Sequence, residues 1–328
     1  MGRTFAVSSR RSWYLGLAVC VTLVGLTAFG RAGGLPGTAP YASTIHAAVP
    51  GSIAFGHLGD VWVAEGGHLR QITQGGRYWG QPEFSPDGSK LALVGWGPSV
   101  TDLFVMNADG SDLRQITQSR KRRLQDSDWT FFPQWSRDGE QLAFTVDRGT
   151  DYPMLWVARA DGSNSRQVTR SSSTFDGVES FSWAPDGVNV ALTRFNQQAS
   201  QIHLVNIASP GRTQPITNEP EGAYDPAWSP DGRFIAYAAR MGRRTALKVH
   251  DTAGLNQPQT LIEGDLARSP TWSPNSSALA YIALVGREFE LHVIDVSVTG
   301  DGELTAGHPV QLTARFGVDA TSGLSWAP

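Results

Sequence analysis

Apolar and polar positions alternate in short bursts along most of the chain, and the bursts recur. Three-residue runs centred on alanine stand at Ile53-Ala54-Phe55, Leu91-Ala92-Leu93, Leu142-Ala143-Phe144, Val190-Ala191-Leu192, Ile235-Ala236-Tyr237 and Leu279-Ala280-Tyr281. An aromatic residue, Phe84, Trp135, Trp183, Trp228 or Trp272, lies seven positions before each of the last five. A further run follows each time: Val61-Trp62-Val63, Leu103-Phe104-Val105, Leu155-Trp156-Val157, Ile202-His203-Leu204, Leu247-Lys248-Val249 and Leu291-His292-Val293. The last burst begins at Gln71, Gln115, Gln167, Pro215, Thr260 and Gln311, mostly as Gln-Ile-Thr or a close relative. Short β-branched and aromatic runs bounded by Gly, Pro, Asn, Asp and Ser predict strands; helices need a 3.6-residue period sustained over a dozen residues or more.

The connections agree. Ser85-Pro86-Asp87-Gly88 reads as a type I turn, with Pro fixing φ at its second position and Gly closing it. Asp-Gly within Asn107–Asp112 and Arg159–Asn164 is a tight hairpin pair. The aromatic that opens each copy recurs after 51, 48, 45, 44 and 54 residues, ending on Trp326. Four strands in about 45 residues is the period of a propeller blade. The first copy begins at its second strand and the last ends after its first. Pairing Trp326-Ala327-Pro328 with Pro50-Gly51-Ser52-Ile53 therefore completes a sixth blade. The expected fold is all-β: a six-bladed propeller over 50–328, four antiparallel strands per blade, closed by its own two ends.

The first 31 residues break the pattern. Arg3, Arg10 and Arg11 precede an uncharged stretch, Trp13–Gly30, as in a secretory signal or an uncleaved N-terminal membrane anchor. Ser-Arg-Arg-Ser-Trp-Tyr-Leu at Ser9–Leu15 also resembles a twin-arginine export motif. Residues 32–49, rich in Gly, Ala, Pro, Ser and Thr, read as a flexible linker. The globular part is expected outside the cytoplasm: periplasmic, secreted or membrane-tethered.

Composition narrows the function classes. The 328 residues include 36 glycines, which suits a turn-rich β protein. Taking the leader's four arginines and no acid out of a net charge of −3 leaves −7, so no nucleic-acid partner is expected. A single cysteine, Cys20, excludes an intramolecular disulfide and a multi-cysteine metal site.

The repeat Trp-Ser-Pro-Asp-Gly-x-x-Ile-Ala-Tyr, followed by Leu-x-Val-x-x-Ala-Asp-Gly-Ser-x-x-Arg-Gln-Ile-Thr, resembles the TolB-type, WD40-like propeller repeat over Gly51–Pro328. The resemblance implies a six-bladed extracytoplasmic propeller that binds proteins. TolB proper carries an α/β domain before its propeller, where this sequence has only the leader and linker. Similar repeats also form the propellers of dipeptidyl-peptidase-like enzymes.

Candidate chemistry falls in the loops between second and third strands and between blades, expected on one face and variable in length. Seven of eleven tryptophans occupy repeat positions, which burial between blades explains. Trp79, Trp96 and Trp129 do not, and with Tyr152 and Asp128 they form the expected partner-binding set, near Tyr78 and Phe131. Asp176, Asp225, Asp265 and Asp319 lead into blades and are the candidate acids of a channel mouth, comparable in place with Asp128. Arg120–Arg123 and Arg240–Arg244 are short basic clusters, read as solvated loops, or else as contacts to an anionic membrane or acidic partner. No histidine pair has metal-protease spacing, and Gly323–Ala327 lacks the second glycine of a nucleophile elbow. The sequence thus predicts a monomeric, non-catalytic scaffold without cofactor or metal, engaging an envelope or secreted protein or peptide. The alternative is a lyase or hydrolase acting on carbohydrate or peptide through the channel-mouth acids.

Overall fold

The computed structural model describes residues 45, 47, 49–123, 127–148, 152–171, 176–195, 199–254, 257–264, 266–300 and 302–328. The leader and the export motif lie outside the described residues, as does Asp265. Among the described residues every regular element is a strand, and no helix is long and apolar enough to cross a membrane.

Blade 1 contributes β1 (Ser52–His57), β2 (Asp60–Glu65) and β3 (His68–Gln71). Blade 2 is β4 (Tyr78–Phe84), β5 (Lys90–Trp96), β6 (Thr101–Asn107) and β7 (Arg114–Gln115). Blade 3 is β8 (Thr130–Trp135), β9 (Gln141–Val146), β10 (Met154–Arg159) and β11 (Arg166–Gln167). Blade 4 is β12 (Gly177–Trp183), β13 (Asn189–Phe195), β14 (Gln201–Asn206) and β15 (Thr213–Pro215). Blade 5 is β16 (Ala223–Trp228), β17 (Phe234–Met241), β18 (Arg244–Asp251) and β19 (Gln259–Gly264). Blade 6 is β20 (Arg268–Trp272), β21 (Ala278–Val285), β22 (Glu288–Val298), β23 (Leu304–Ala306) and β24 (Val310–Gln311). The last strand, β25 (Leu324–Ala327), becomes the innermost strand of blade 1.

Closure is antiparallel, with Ile53 opposite Trp326 and Ala54 opposite Ser325. The Trp326 indole N–H donates to the Pro50 carbonyl at 2.8 Å. Register is the same in every blade. The central alanine of the second strand faces Val63, Val105, Val157, Leu204, Val249 and Val293 of the third. The residue opening the fourth burst pairs with Trp62, Phe104, Trp156, His203, Lys248 and His292. Alternation puts the apolar residues of these strands between neighbouring sheets, where they are buried.

At two of those junctions the indole of the repeat tryptophan also satisfies the neighbouring inner strand. Trp135 donates to the Glu83 carbonyl at 3.2 Å and Trp272 to the Ala227 carbonyl at 2.9 Å. Side chains on the inner strands also accept from the next blade's backbone: Ser325 from Phe84, Gln81 from Phe132, Gln134 from Trp183 and Ser182 from Trp228, at 2.8–2.9 Å. Five inner strands carry a bulge, and Gln81, Phe132, Asp225 and Ser269 adopt positive φ of 51–52° there.

Two details differ from the sequence reading. Ile45, Ala47 and Val49 pack into the cluster between blades 6 and 1, and the Ile45 N–H donates to the Gly67 carbonyl at 3.1 Å, so the packed chain reaches into the expected linker. Alternate apolar residues there cover a seam that would otherwise face water. Blade 6 carries the additional strand β23, paired with the extended end of β22. On the loop face the connections between second and third strands vary in length, as expected: blades 1, 5 and 6 use two-residue hairpins and the other blades longer loops.

Candidate ligand-binding face

The loop face is the side on which second strands end and first strands begin. Most of its acids are held by partners within the protein. Asp60, Asp102 and Glu290 accept from the threonines of the fourth burst, Thr73, Thr117 and Thr313, at 2.8, 3.0 and 2.5 Å. Each threonine hydroxyl in turn accepts a third-strand N–H at 2.9 Å. This acid–threonine clamp explains why the burst ends in Thr, and the sequence reading missed it. Its signal is an acid immediately before the third-strand apolar run in the same blades.

The acids singled out from sequence separate into different environments. Asp176 is buried and paired bidentately with Arg194, at 2.7 and 2.5 Å. Asp128 is buried between Arg148 at 3.0 Å and Lys121 at 3.6 Å. Asp319 accepts from the Tyr78 hydroxyl at 3.0 Å and the Gly59 N–H at 3.2 Å. Asp225 sits on inner strand β16, 3.4 Å from Arg268 and 3.2 Å from the Ser269 N–H. Of these four, only Asp225 lies on an inner strand.

The inner strands add two acids that the sequence reading passed over. Glu83 on β4 is half-buried, and loss of solvent pushes its carboxyl up to about 8, against a hydrogen bond from Ser325 that favours the charged form. Glu179 on β12 is pushed up to about 7, chiefly by burial and then by Asp225, while Arg268 opposes the rise. Glu83 occupies the strand position where other copies have Gln, Ser, Ala or Thr, and that break in the repeat was visible.

The aromatic residues form a strip across blades 2 and 3. Tyr78, 41% exposed, meets Trp96 edge-on with ring centres 5.1 Å apart. Trp96 lies 6.5 Å from Phe131, and Phe131 lies 6.4 Å from Trp129 in a near-parallel arrangement. Trp96, Phe131 and Trp129 are half-buried. Trp129 is held in place by its N–H, which donates to Asp147 at 2.7 Å, and by a bridge to Thr101. Trp79 is not part of the strip. It is 7% exposed and packs edge-on against Phe104, because its neighbour Tyr78 in the same strand points to the other face. Tyr152 is also separate, packing against Phe195 at 5.4 Å and over Gly177.

Arg120–Arg123 are exposed in the connection from blade 2 to blade 3, with Lys121 reaching back to Asp128. Arg240, Arg243 and Arg244 are exposed at the β17–β18 hairpin. Among the described residues no three His, Cys, Asp or Glu side chains cluster closely enough to hold a metal ion.

No family model matches the chain. It is 26% identical over 202 residues to an uncharacterized peptidase, YuxL, of Bacillus subtilis, a match covering 60% of this chain and 27% of that protein. It is 29% identical over 150 residues to a TolB homolog of Chlorobium luteolum, covering 46% of this chain and 31% of that one. It is 34% identical over 140 residues to the Tol-Pal system protein TolB of Anaeromyxobacter dehalogenans, covering 43% and 29%. The chain therefore spans less than a third of each of these relatives. Among solved structures, TolB from Acinetobacter baumannii superposes with a TM-score of 0.67 at 19% identity, over 85% of this chain and 67% of that one. An oligogalacturonate lyase in complex with manganese gives 0.54 at 14% identity, over 80% and 73%. These similarities and the six blades support a TolB-type propeller.

Proposed function

We propose that the chain is a non-catalytic, extracytoplasmic binding scaffold whose loop face, at blades 2 and 3, holds a protein or peptide partner. The observation that carries this reading is the strip Tyr78, Trp96, Phe131 and Trp129, four adjoining aromatic rings left partly open to solvent across two rigid blades. Aromatics fixed by a scaffold give large contact area at little entropic cost, as in interface hot spots. Similarity to TolB proteins supports the same class and an envelope location. Replacing Trp96 and Trp129 together by Ala is expected to weaken capture of an envelope protein at least about tenfold, the scale of a hot-spot pair. Trp79→Ala is the control: it should lower the melting temperature by emptying a core site, at about 3–5 kcal/mol. Unchanged capture by the Trp96/Trp129 variant would sink the reading.

A second reading, a propeller enzyme, is favoured by one observation. Glu83 and Glu179 are inner-strand acids whose carboxyls titrate near neutrality, as general acids require. A peptidase is among the sequence relatives, and the lyase structure shares the propeller architecture. Turnover of an oligouronide or peptide library that disappears in Glu83→Gln and Glu179→Gln would establish it; no turnover by the unaltered chain would remove it.

A further inference from the structure

Across the ring from the aromatic strip, blades 5 and 6 raise tall hairpins on the loop face. From the central alanine to the end of the second strand there are three residues in blade 1 (Ala54 to His57) but five in blade 5 (Ala236 to Met241) and blade 6 (Ala280 to Val285). At roughly 3.4 Å per residue, the two hairpins extend about 7 Å further. Their tips read alike. Met241-Gly242-Arg243 and Val285-Gly286-Arg287 each place an apolar residue before a left-handed glycine, φ 64° and 68°, and an arginine after it.

These tips are apolar and unprotected. Met241 is 47% exposed and Val285 43%, and Leu266, in the connection between the two blades, is 37%. Exposed arginines surround them: Arg240, Arg243, Arg244 and Arg287. The exposed acids of this sector are Glu221, which accepts the Gly242 N–H at 2.7 Å, Glu263 and Glu288. Over the described loop face as a whole, eleven Lys and Arg side chains are exposed against those three acids. The imbalance arises because the other acids of the face are turned inward onto threonines, arginines and Lys248.

We propose that the tips of blades 5 and 6, with Leu266 between them, dock the propeller on an anionic lipid bilayer. Single apolar side chains on convex tips suit the boundary between headgroups and acyl chains, which accepts them without a matching pocket. Arginines beside them meet lipid phosphates and confer a preference for anionic surfaces that salt weakens. The site lies opposite the aromatic strip, so its failure leaves the scaffold reading untouched, and the reverse also holds.

The full chain with Cys20→Ser and Met241→Cys, labelled with an environment-sensitive fluorophore, reads tip insertion directly and ignores adhesion through Trp13–Gly30. Emission should shift to the blue and rise several-fold on phosphatidylglycerol-containing vesicles, and change little on phosphatidylcholine alone. The same label at Val285→Cys should respond alike, and one at Asp87→Cys on the opposite face should stay silent. Arg243→Gln with Arg287→Gln should weaken binding to these vesicles about thirtyfold, as expected for losing two surface contacts to anionic lipid. Silent labels at both tips on anionic vesicles would overturn the proposal. So would an equal shift on adding poly-glutamate, which would make the patch a site for an acidic protein instead.

Discussion

The two faces of the propeller use the same residue types in opposite ways. On the turn face the aspartates of the Ser-x-Asp-Gly turns are satisfied within their own hairpins. Asp87 accepts from the Ser85 hydroxyl at 2.5 Å and the Ser89 N–H at 3.0 Å, and Asp138 does the same with Ser136 and Glu140. Asp231 follows with Ser229 and Arg233. On the loop face the acids find partners about 15 to 240 residues away, and the partners differ from blade to blade: a threonine for Asp102, an arginine for Asp176, Lys248 for Glu219, a tyrosine of another blade for Asp319. The turn face is a repeated local solution. The loop face is where each blade has departed from the repeat.

The largest effect should come from breaking a long-range partner. Asp176→Ala leaves the half-buried Arg194 with its charge uncompensated, its other contacts being the Thr213 hydroxyl at 2.7 Å and the Arg170 carbonyl at 3.0 Å. Loss of about 3–5 kcal/mol is expected. Denaturant unfolding of Asp176→Ala, Arg194→Ala and the double variant should show that the second substitution costs far less once the first is made. Additive losses would mean that the pair is not the unit described.

The inner-strand acids sharpen the contrast, because burial rather than a partner governs them. Glu83 holds its proton to about pH 8 in the folded chain, against the usual carboxylate range when unfolded. Between these limits the native state binds more protons, so its stability falls as pH rises from about 4.5 to about 8. Glu83→Gln removes that dependence. It should raise stability at pH 8, by at most about 4 kcal/mol because solvent screens part of the effect at this half-buried carboxyl, and change little at pH 4. Thermal melts across that range give the answer, and a variant that gains as much at pH 4 as at pH 8 would contradict it.

How much of this was legible follows the same division. The strand runs, the Ser-Pro-Asp-Gly turns and the half-copies at each end are local patterns, and they led to the six-bladed ring and its closure. Trp96 and Trp129 stood out because they broke the repeat, and they do lie on the aromatic strip. Trp79 broke it too, yet it is buried. Adjacent residues in a strand point to opposite faces, so only one of Tyr78 and Trp79 could be open, and composition alone could not choose between them. Ile45 and Val49 lay in a stretch of linker-like composition, and their burial depends on the seam made by the distant ends of the chain. Asp176 and Asp128 looked equivalent to Asp225 by position, but Arg194 and Arg148, nearly twenty residues on, turn the first two into their own blades.

The smallest expected effect tests the turn face and carries its own internal control. Hydrogen bonds from Ser85 and Ser89 lower the Asp87 carboxyl to about 2. A folded value below the unfolded one makes the charged form stabilising above the usual aspartate range, and that contribution is lost as pH falls toward 2. Since Asp87 is exposed, water screens most of the benefit, and Asp87→Asn should cost under about 1 kcal/mol at pH 7. Blade 6 already makes the exchange: Asn275 accepts from the Ser273 hydroxyl at 2.8 Å and the Ser277 N–H at 3.2 Å, holding the same turn without a charge. The variant should therefore keep its turn, lose only the pH-dependent part, and match the unaltered chain at pH 2. The reciprocal Asn275→Asp should gain a similar increment at pH 7. A cost for Asp87→Asn approaching that of Asp176→Ala would mean that the turn acids reach beyond their own hairpins, and the distinction between the faces would fail.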